Sequence, residues 1–275
     1  MKVSVIIPCK NEEDTVPYLL SSLCKQTFKY FEVVAIDDGS SDGTAQRLHS
    51  FSEMFPINTI VHKKSKGIAR SRNAGVKAAK GDYILMLDAD NELNDTFLEG
   101  LYNIATQRGT PAAPYYLFTR DTWVENLLVK QLRFPLGWDD VGEGLAPIFF
   151  KREEAPTWDP EIDFGDDRLL YDYPFTSTKK SVCTVHMPHT LKELFHQQEF
   201  YGRGWWRLFR RDWRMALPML WRLLFFFPPA TAVIILKRFI DNGVDPRFIF
   251  IDALKSVAFT YGMLTYMVRG EHKRR

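Results

Sequence analysis

The first hundred residues alternate between two hydrophobic rhythms. Short apolar runs at 3–7, 31–36, 57–61 and 83–87 are bounded by turn-forming residues and read as buried strands. Between them apolar residues recur at helical spacing. Val16, Leu19, Leu20 and Leu23 mark a helix over 14–25, and a second runs to about Phe51 from a start capped by Ser41 or Asp42. An alanine-rich third covers 68–79 and stops at Lys80-Gly81, and a fourth covers 95–106. This strand–helix order predicts an α/β fold, a mostly parallel sheet with helices on both faces. Residues 107–185 hold seven prolines and scattered aromatics and read as irregular, substrate-side elaboration. Beyond about Thr190 the pattern turns helical. The expected organisation is an α/β domain over 1–200 and an amphipathic helical region over 201–275.

Charge sharpens that division. The net charge of +2 is the sum of −7 over residues 1–200 (22 Lys/Arg, 29 Asp/Glu) and +9 over 201–275 (14 Lys/Arg, 5 Asp/Glu). Four of the seven tryptophans, Trp205, Trp206, Trp213 and Trp221, fall within the basic part. A basic, aromatic tail on an acidic body points to an anionic surface, a nucleic acid or a membrane leaflet. Cys9, Cys24 and Cys183 lack metal-ligand spacing and read as reduced thiols. The start of the chain has one lysine and too short an apolar run for a signal peptide, and reads as a strand.

Candidate chemistry sits where strands end. Pro8-Cys9-Lys10-Asn11-Glu12 follows the first, Asp37-Asp38-Gly39-Ser40 the second and Asp88-Ala89-Asp90 the fourth. In a parallel sheet these C-terminal ends share one rim, where open α/β sheets bind ligands. Two carboxylates one residue apart need a compensating partner, and carboxylate oxygens suit Mg²⁺ or Mn²⁺ beside substrate phosphates. Lys66 and the arginines of Arg70-Ser71-Arg72 begin a helix whose free N–H groups favour phosphate. Singly each motif has a plainer reading: a solvated turn for either aspartate pair, a solvated helix face for Lys66 and Arg72.

Together, the blocks Ser4-Val5-Ile6-Ile7-Pro8-Cys9-Lys10-Asn11-Glu12, Ile36-Asp37-Asp38-Gly39-Ser40-Ser41-Asp42-Gly43-Thr44, Arg70-Ser71-Arg72-Asn73-Ala74-Gly75 and Leu87-Asp88-Ala89-Asp90 resemble the signatures of family-2 glycosyltransferases, inverting enzymes of the GT-A fold. The resemblance is dense over 1–100 and sparser to about 204. It implies that Pro8, Glu12, Asp37 and Asp38 line the pocket for the base and ribose of a nucleoside-diphosphate sugar, uridine before guanosine. It puts Lys66 and Arg72 near the diphosphate. Asp90 becomes the direct ligand of a Mn²⁺ or Mg²⁺ ion, with Asp88 nearer sugar and ribose. Phe164-Gly165-Asp166-Asp167-Arg168-Leu169-Leu170 resembles the family's acidic acceptor block, with Asp166 in place of the usual Glu. Asp167 is then the base that deprotonates an acceptor hydroxyl. The same two residues also read as a helix N-cap. His186, after the apolar 182–185, reads as a further metal ligand or as an ordinary hydrogen-bonded histidine. Tyr201-Gly202-Arg203-Gly204 resembles a block of membrane-associated members, which would turn Arg203 to the diphosphate or an acceptor phosphate.

The tail fits a membrane surface better than a nucleic acid. Trp206, Phe209 and Trp213 share one helical face and Arg207, Arg211 and Arg214 another, the pattern of an interfacial helix. The uncharged run 223–236 is short of a span and broken by Pro228-Pro229, and 248–268 holds Asp252 and Lys255. Packing onto the catalytic domain or into a dimer is the alternative. The functional expectation is sugar transfer to a polyprenyl-linked or other glycan acceptor at the cytoplasmic membrane face. A sugar-nucleotide nucleotidyltransferase fits less well, since a glycine-rich loop would follow its first strand. A non-catalytic membrane scaffold is the remaining rival.

Overall fold

The strand–helix alternation of the first half folds as its pattern predicts. The computed structural model describes residues 2–136, 141–143, 148–160, 174–211 and 246–269. Strands β1 (Val3–Cys9), β2 (Phe31–Asp37), β3 (Ile57–Val61) and β4 (Tyr83–Met86) alternate with α1 (Val16–Cys24), α2 (Thr44–Ser50) and α3 (Ile68–Ala78). The strands run parallel in the order β3-β2-β1-β4, with Val5 opposite Val33 on one side and Leu85 on the other. Successive side chains point to opposite faces. Val3, Val5 and Ile7 join α1, α2 and α4 (Phe97–Arg108) in one core, while Ile6, Val34 and Ile36 pack with Ala69 and Trp158 on the α3 face. Both faces are covered, which is why these strands read as unbroken apolar runs.

Helix ends shift by one or two residues. Pro17 sits in the first turn of α1, so Asp14 and Thr15 fall outside it. Gly43, not Ser41 or Asp42, holds the N-cap position of α2. Asp42 acts from one residue earlier, its carboxylate accepting the Thr44 N–H at 3.1 Å and the Thr44 hydroxyl at 2.5 Å.

The described residues between 107 and 185 are largely regular. They supply β6 (Ala112–Phe118), α5 (Trp123–Leu136), β7 (Val141–Glu143), β8 (Phe149–Lys151) and β9 (Thr176–Val185), and β5 (Asn91–Leu93) precedes them. The sheet continues β4-β8-β6-β9-β5, with β8 antiparallel to β4 and β5 antiparallel to β9. Proline hides β6 from periodicity, and the β6–β9 register slips between Pro114, opposite Thr178, and Tyr115, opposite Val182, with residues 179–181 bulged out of the ladder on β9.

Two compact units emerge, residues 1–119 with 132–187, and residues 120–131 with 188–275. The second holds α6 (Leu191–Arg211) and α7 (Pro246–Arg269), so the amphipathic stretch at Trp205 continues a helix begun fourteen residues earlier. These helices cross at two glycines. A Cβ on Gly202 would collide with the Phe259 carbonyl, and one on Gly262 with the Glu199 carbonyl. No described helix is long and apolar enough to cross a membrane.

Candidate active site

Parallel pairing brings the first three motifs to one rim. Cys9 lies opposite Asp37 in the β1–β2 ladder, the Asp38 N–H donates to the Cys9 carbonyl at 2.8 Å, and Leu87 N–H donates to Ile6 O at 3.0 Å just before Asp88. The loops after β1 and β2 then zip together. Asn11 takes a left-handed conformation (φ 57°), a region asparagine tolerates better than most residues. There its side-chain Oδ1 accepts the Ser41 N–H at 2.9 Å while its backbone N–H donates to Ser40 Oγ at 2.9 Å. Glu12 N–H donates to Thr44 Oγ1 and Gly43 N–H to Glu13 Oε2. Burial raises the Glu12 carboxyl above its usual range; the Thr15 hydroxyl opposes this by hydrogen bonding, and Asp90 and Asp88 add to it. Glu12 thus shares the field of the paired aspartates. Pro8 is half-buried, and buried Asp37 accepts the Ser40 N–H at 2.9 Å.

Asp38 turns toward the segment after β3. Its carboxylate accepts hydrogen bonds from Ser65 Oγ and from the N–H groups of Lys66 and Gly67, and it lies against His62 Nδ1. Burial alone would raise its pKa, but these bonds hold it below the usual carboxylate range. Gly39 makes the fit possible. It adopts φ +72°, and a Cβ there would press on the backbone of Lys64 and Ser65. The Lys66 side chain is exposed at the start of α3.

The Asp88-Ala89-Asp90 turn is braced from two sides. Asn91 Oδ1 accepts the Asp88 N–H at 3.1 Å, and Asn91 N–H donates to the Asp88 carbonyl. Buried Arg72 brings Nη2 within 3.3 Å of Asp88 Oδ1, and its guanidinium lies 5.8 Å from the Trp158 ring centre. Asn73 clamps the Trp158 backbone in both directions, at 2.7 and 2.9 Å. Neither Asn73 nor Trp158 stood out in the sequence as a support for Asp88.

Antiparallel pairing supplies the fourth component. Asn91 faces Val185 across β5 and β9, so the next residues outward, Asp90 and His186, are brought together from 96 positions apart. Burial and the neighbouring Asp88 push the Asp90 carboxyl up to about 6, and His186 offsets this in part. Asp90 is exposed to solvent by surface area yet has many protein atoms around it, which is what raises its carboxyl. His186 Nε2 is buried without a hydrogen bond, 3.7 Å from Glu92 Oε2, and the ring lies 6.3 Å from Tyr18. Among the described residues no three His, Cys, Asp or Glu side chains are gathered to hold a metal by themselves. His186 is thus not gathered with Asp88 and Asp90 into one ligand set; the two carboxylates suit a hard divalent ion whose shell a diphosphate completes.

Asp166 and Asp167 lie outside the described residues. Arg203 lies on α6 of the second unit and pairs with Glu199 at 3.0 Å. Cys9 and Cys183 are buried and free, and burial raises both thiols, which leaves them as packing groups.

A Rossmann-like sheet with an Asp-x-Asp turn beyond its central strand is the arrangement of the GT-A fold. Residues 4–160, more than half of the chain, match the Glycosyl transferase family 2 model, and the chain belongs to that family. It is similar to the cholesterol galactosyltransferase of Borreliella burgdorferi, 36% identical over 104 residues, which are 38% of this chain and 29% of that protein. The match therefore spans under a third of that relative. Two solved structures share the fold. One is S. aureus TarS 1–349 in complex with UDP-GlcNAc, with TM-score 0.52 and 16% identity over 99% of this chain and 93% of that one. The other is the Pyrobaculum calidifontis mannosyltransferase PcManGT in complex with GDP-Man and Mn2+, with TM-score 0.55 and 16% identity over 96% of this chain and 87% of that one. At class level the chain carries a glycosyltransferase family 2 region over residues 4–160.

Proposed function

We propose that the protein is an inverting, metal-dependent glycosyltransferase that moves a sugar from a nucleoside diphosphate, uridine before guanosine, to a lipid-linked acceptor at a membrane face. The observation that carries the donor half is the meeting of Asp90 and His186 beside Asp88, where burial and the neighbouring carboxylate raise the Asp90 carboxyl and His186 Nε2 lacks a hydrogen bond. Asp90, with Asp88 beside it, would hold Mn²⁺ or Mg²⁺ there together with the donor diphosphate, and His186 would join the shell on loading. Such an ion supplies Lewis-acid neutralisation of the leaving diphosphate.

The chain's own groups do the rest. Pro8, Glu12 and Asp37 bound the nucleoside, with the zipped loops giving that pocket a fixed wall, while Asp38, its carboxylate committed to His62, Ser65, Lys66 and Gly67, holds the loop behind it instead of facing the nucleoside. Lys66 and the first turn of α3 receive phosphate oxygens, and Arg72 keeps Asp88 in place. Asp167, with Asp166 beside it, takes the proton of the acceptor hydroxyl as that oxygen attacks the anomeric carbon from the face opposite the departing diphosphate. Arg203 is assigned to a phosphate of donor or acceptor.

The acceptor reading rests on the second unit. Phe250, Val257, Tyr261 and Leu264 recur along α7 and are about half exposed. With the basic tail they suit an anionic leaflet, approached peripherally from the cytoplasmic side. A relative named for transfer to cholesterol supports a lipid acceptor. A thermal-shift panel of nucleoside diphosphates, each with and without Mn²⁺, tests the donor half. A metal-dependent rise with UDP is expected, and no response to any of them refutes it. Flotation with anionic liposomes tests the membrane half; protein left at the bottom of the gradient refutes it.

A further inference from the structure

His62 belongs to none of the blocks that carry the family resemblance, yet its side chain is only 6% exposed. Its backbone N–H extends the β2–β3 ladder by donating to the Asp37 carbonyl at 2.9 Å. Its Nδ1 lies 2.8 Å from Asp38 Oδ1, which also accepts the Lys66 N–H at 2.7 Å. Asp38 Oδ2 accepts the Ser65 hydroxyl at 2.6 Å and the Gly67 N–H at 2.9 Å. Four bonds use about the whole acceptor capacity of an ionised carboxylate. All four go to one segment, 62–67, which joins the end of β3 to Gly67, the N-cap residue of α3. One carboxylate therefore ties the basic loop to the tip of β2, and His62 is the only ring among its partners.

We propose that His62 is a positioning residue for donor binding: it orients Asp38, and Asp38 fixes Lys66 and the first turn of α3 against the donor diphosphate. This rests on the reading that Lys66 and that turn receive the diphosphate. The Nδ1–H donor is available in the neutral ring, so the role needs no charge on histidine. Without it one of the four bonds is lost, and the remaining three hold the carboxylate and its loop less firmly. The loop then samples arrangements in which the Lys66 ammonium and the α3 amides no longer converge, and the ligand must pay for ordering them.

The test titrates the full chain with UDP, GDP, UMP and GMP, each with Mn²⁺, by calorimetry. His62→Leu removes the donor; His62→Asn keeps an N–H near the place of Nδ1. Relative to wild type, His62→Leu should bind the preferred nucleoside diphosphate ~10-fold more weakly and the matching monophosphate less than ~2-fold more weakly, with His62→Asn recovering most of the loss. A merely structural role would lower both affinities alike or neither, and either outcome overturns the proposal. Should His62→Leu fail to fold, Ser65→Ala removes another bond to the same carboxylate and should give the same split in smaller measure; its absence also overturns it. A wild-type protein that binds neither diphosphate refutes the donor reading itself, whereas wild-type binding left unaltered in the variants refutes only the role of His62.

Discussion

Arg72 Nη2 lies 3.3 Å from Asp88 Oδ1, with the guanidinium beside the Trp158 ring. The arginine is 10% exposed and the aspartate 60%, so the pair is half in water and contributes only about 0–1 kcal/mol to stability. Its value is geometric, because a planar fork against an aromatic face cannot be reproduced by an ammonium. Arg72→Lys should leave the melting temperature within a few degrees of wild type and weaken nucleoside-diphosphate binding by about tenfold. Calorimetric titration checks this, and wild-type affinity would reduce the pair to a passive surface bridge.

Asp90 carries a carboxyl raised to about 6, first by burial and then by Asp88. A folded-state pKa above the unfolded one means the ionised group opposes folding above about pH 6, an opposition relieved as pH falls toward the usual value near 3.9. Without metal, Asp90→Asn should therefore melt higher than wild type at pH 8, and the gap should close by about pH 4. Metal-assisted donor binding should vanish in the same variant. In wild type that binding should fade as pH falls through about 6, where the ligand takes up a proton.

Asp38 behaves in the opposite sense. Burial raises its pKa, but the hydrogen bonds from Lys66, Ser65, His62 and Gly67 lower it by more, so the folded value lies below the unfolded one. Its stabilisation is present above the unfolded pKa of about 3.9 and is lost as pH falls through the lower folded value. Asp38→Asn keeps one oxygen and places an NH₂ against two donors. At pH 7 it should destabilise the chain by about 1–3 kcal/mol in urea denaturation, and the difference should narrow below about pH 4.

Gly202 and Gly262 each lie against a carbonyl of the opposite helix, which lets α6 and α7 approach at backbone distance. Gly202→Ala should cost about 1–3 kcal/mol through overpacking, as should Gly262→Ala. The double variant should cost less than their sum, because once the helices separate the second methyl meets open space. Thermal unfolding followed by circular dichroism reads this, and strict additivity would contradict a shared crossing point.

The sequence by itself determined the first half of the sheet, since strands covered on both faces must be apolar throughout and helices must repeat near 3.6. It also determined that three acidic motifs share a rim, because parallel strands put all their C-terminal ends on one side. It did not reveal β6 to β9, where Pro111 and Pro114 and short three-residue strands break the period that pattern reading needs. Nor did it give the partners of the motifs. Asp38 is committed to a loop more than twenty residues away, and Asp90 meets His186 only because β5 runs antiparallel to β9. Local spacing fixes which side of an element a residue occupies. Which distant residue shares its hydrogen bonds and its electric field depends on strand order and register, and only the tertiary structure decided those.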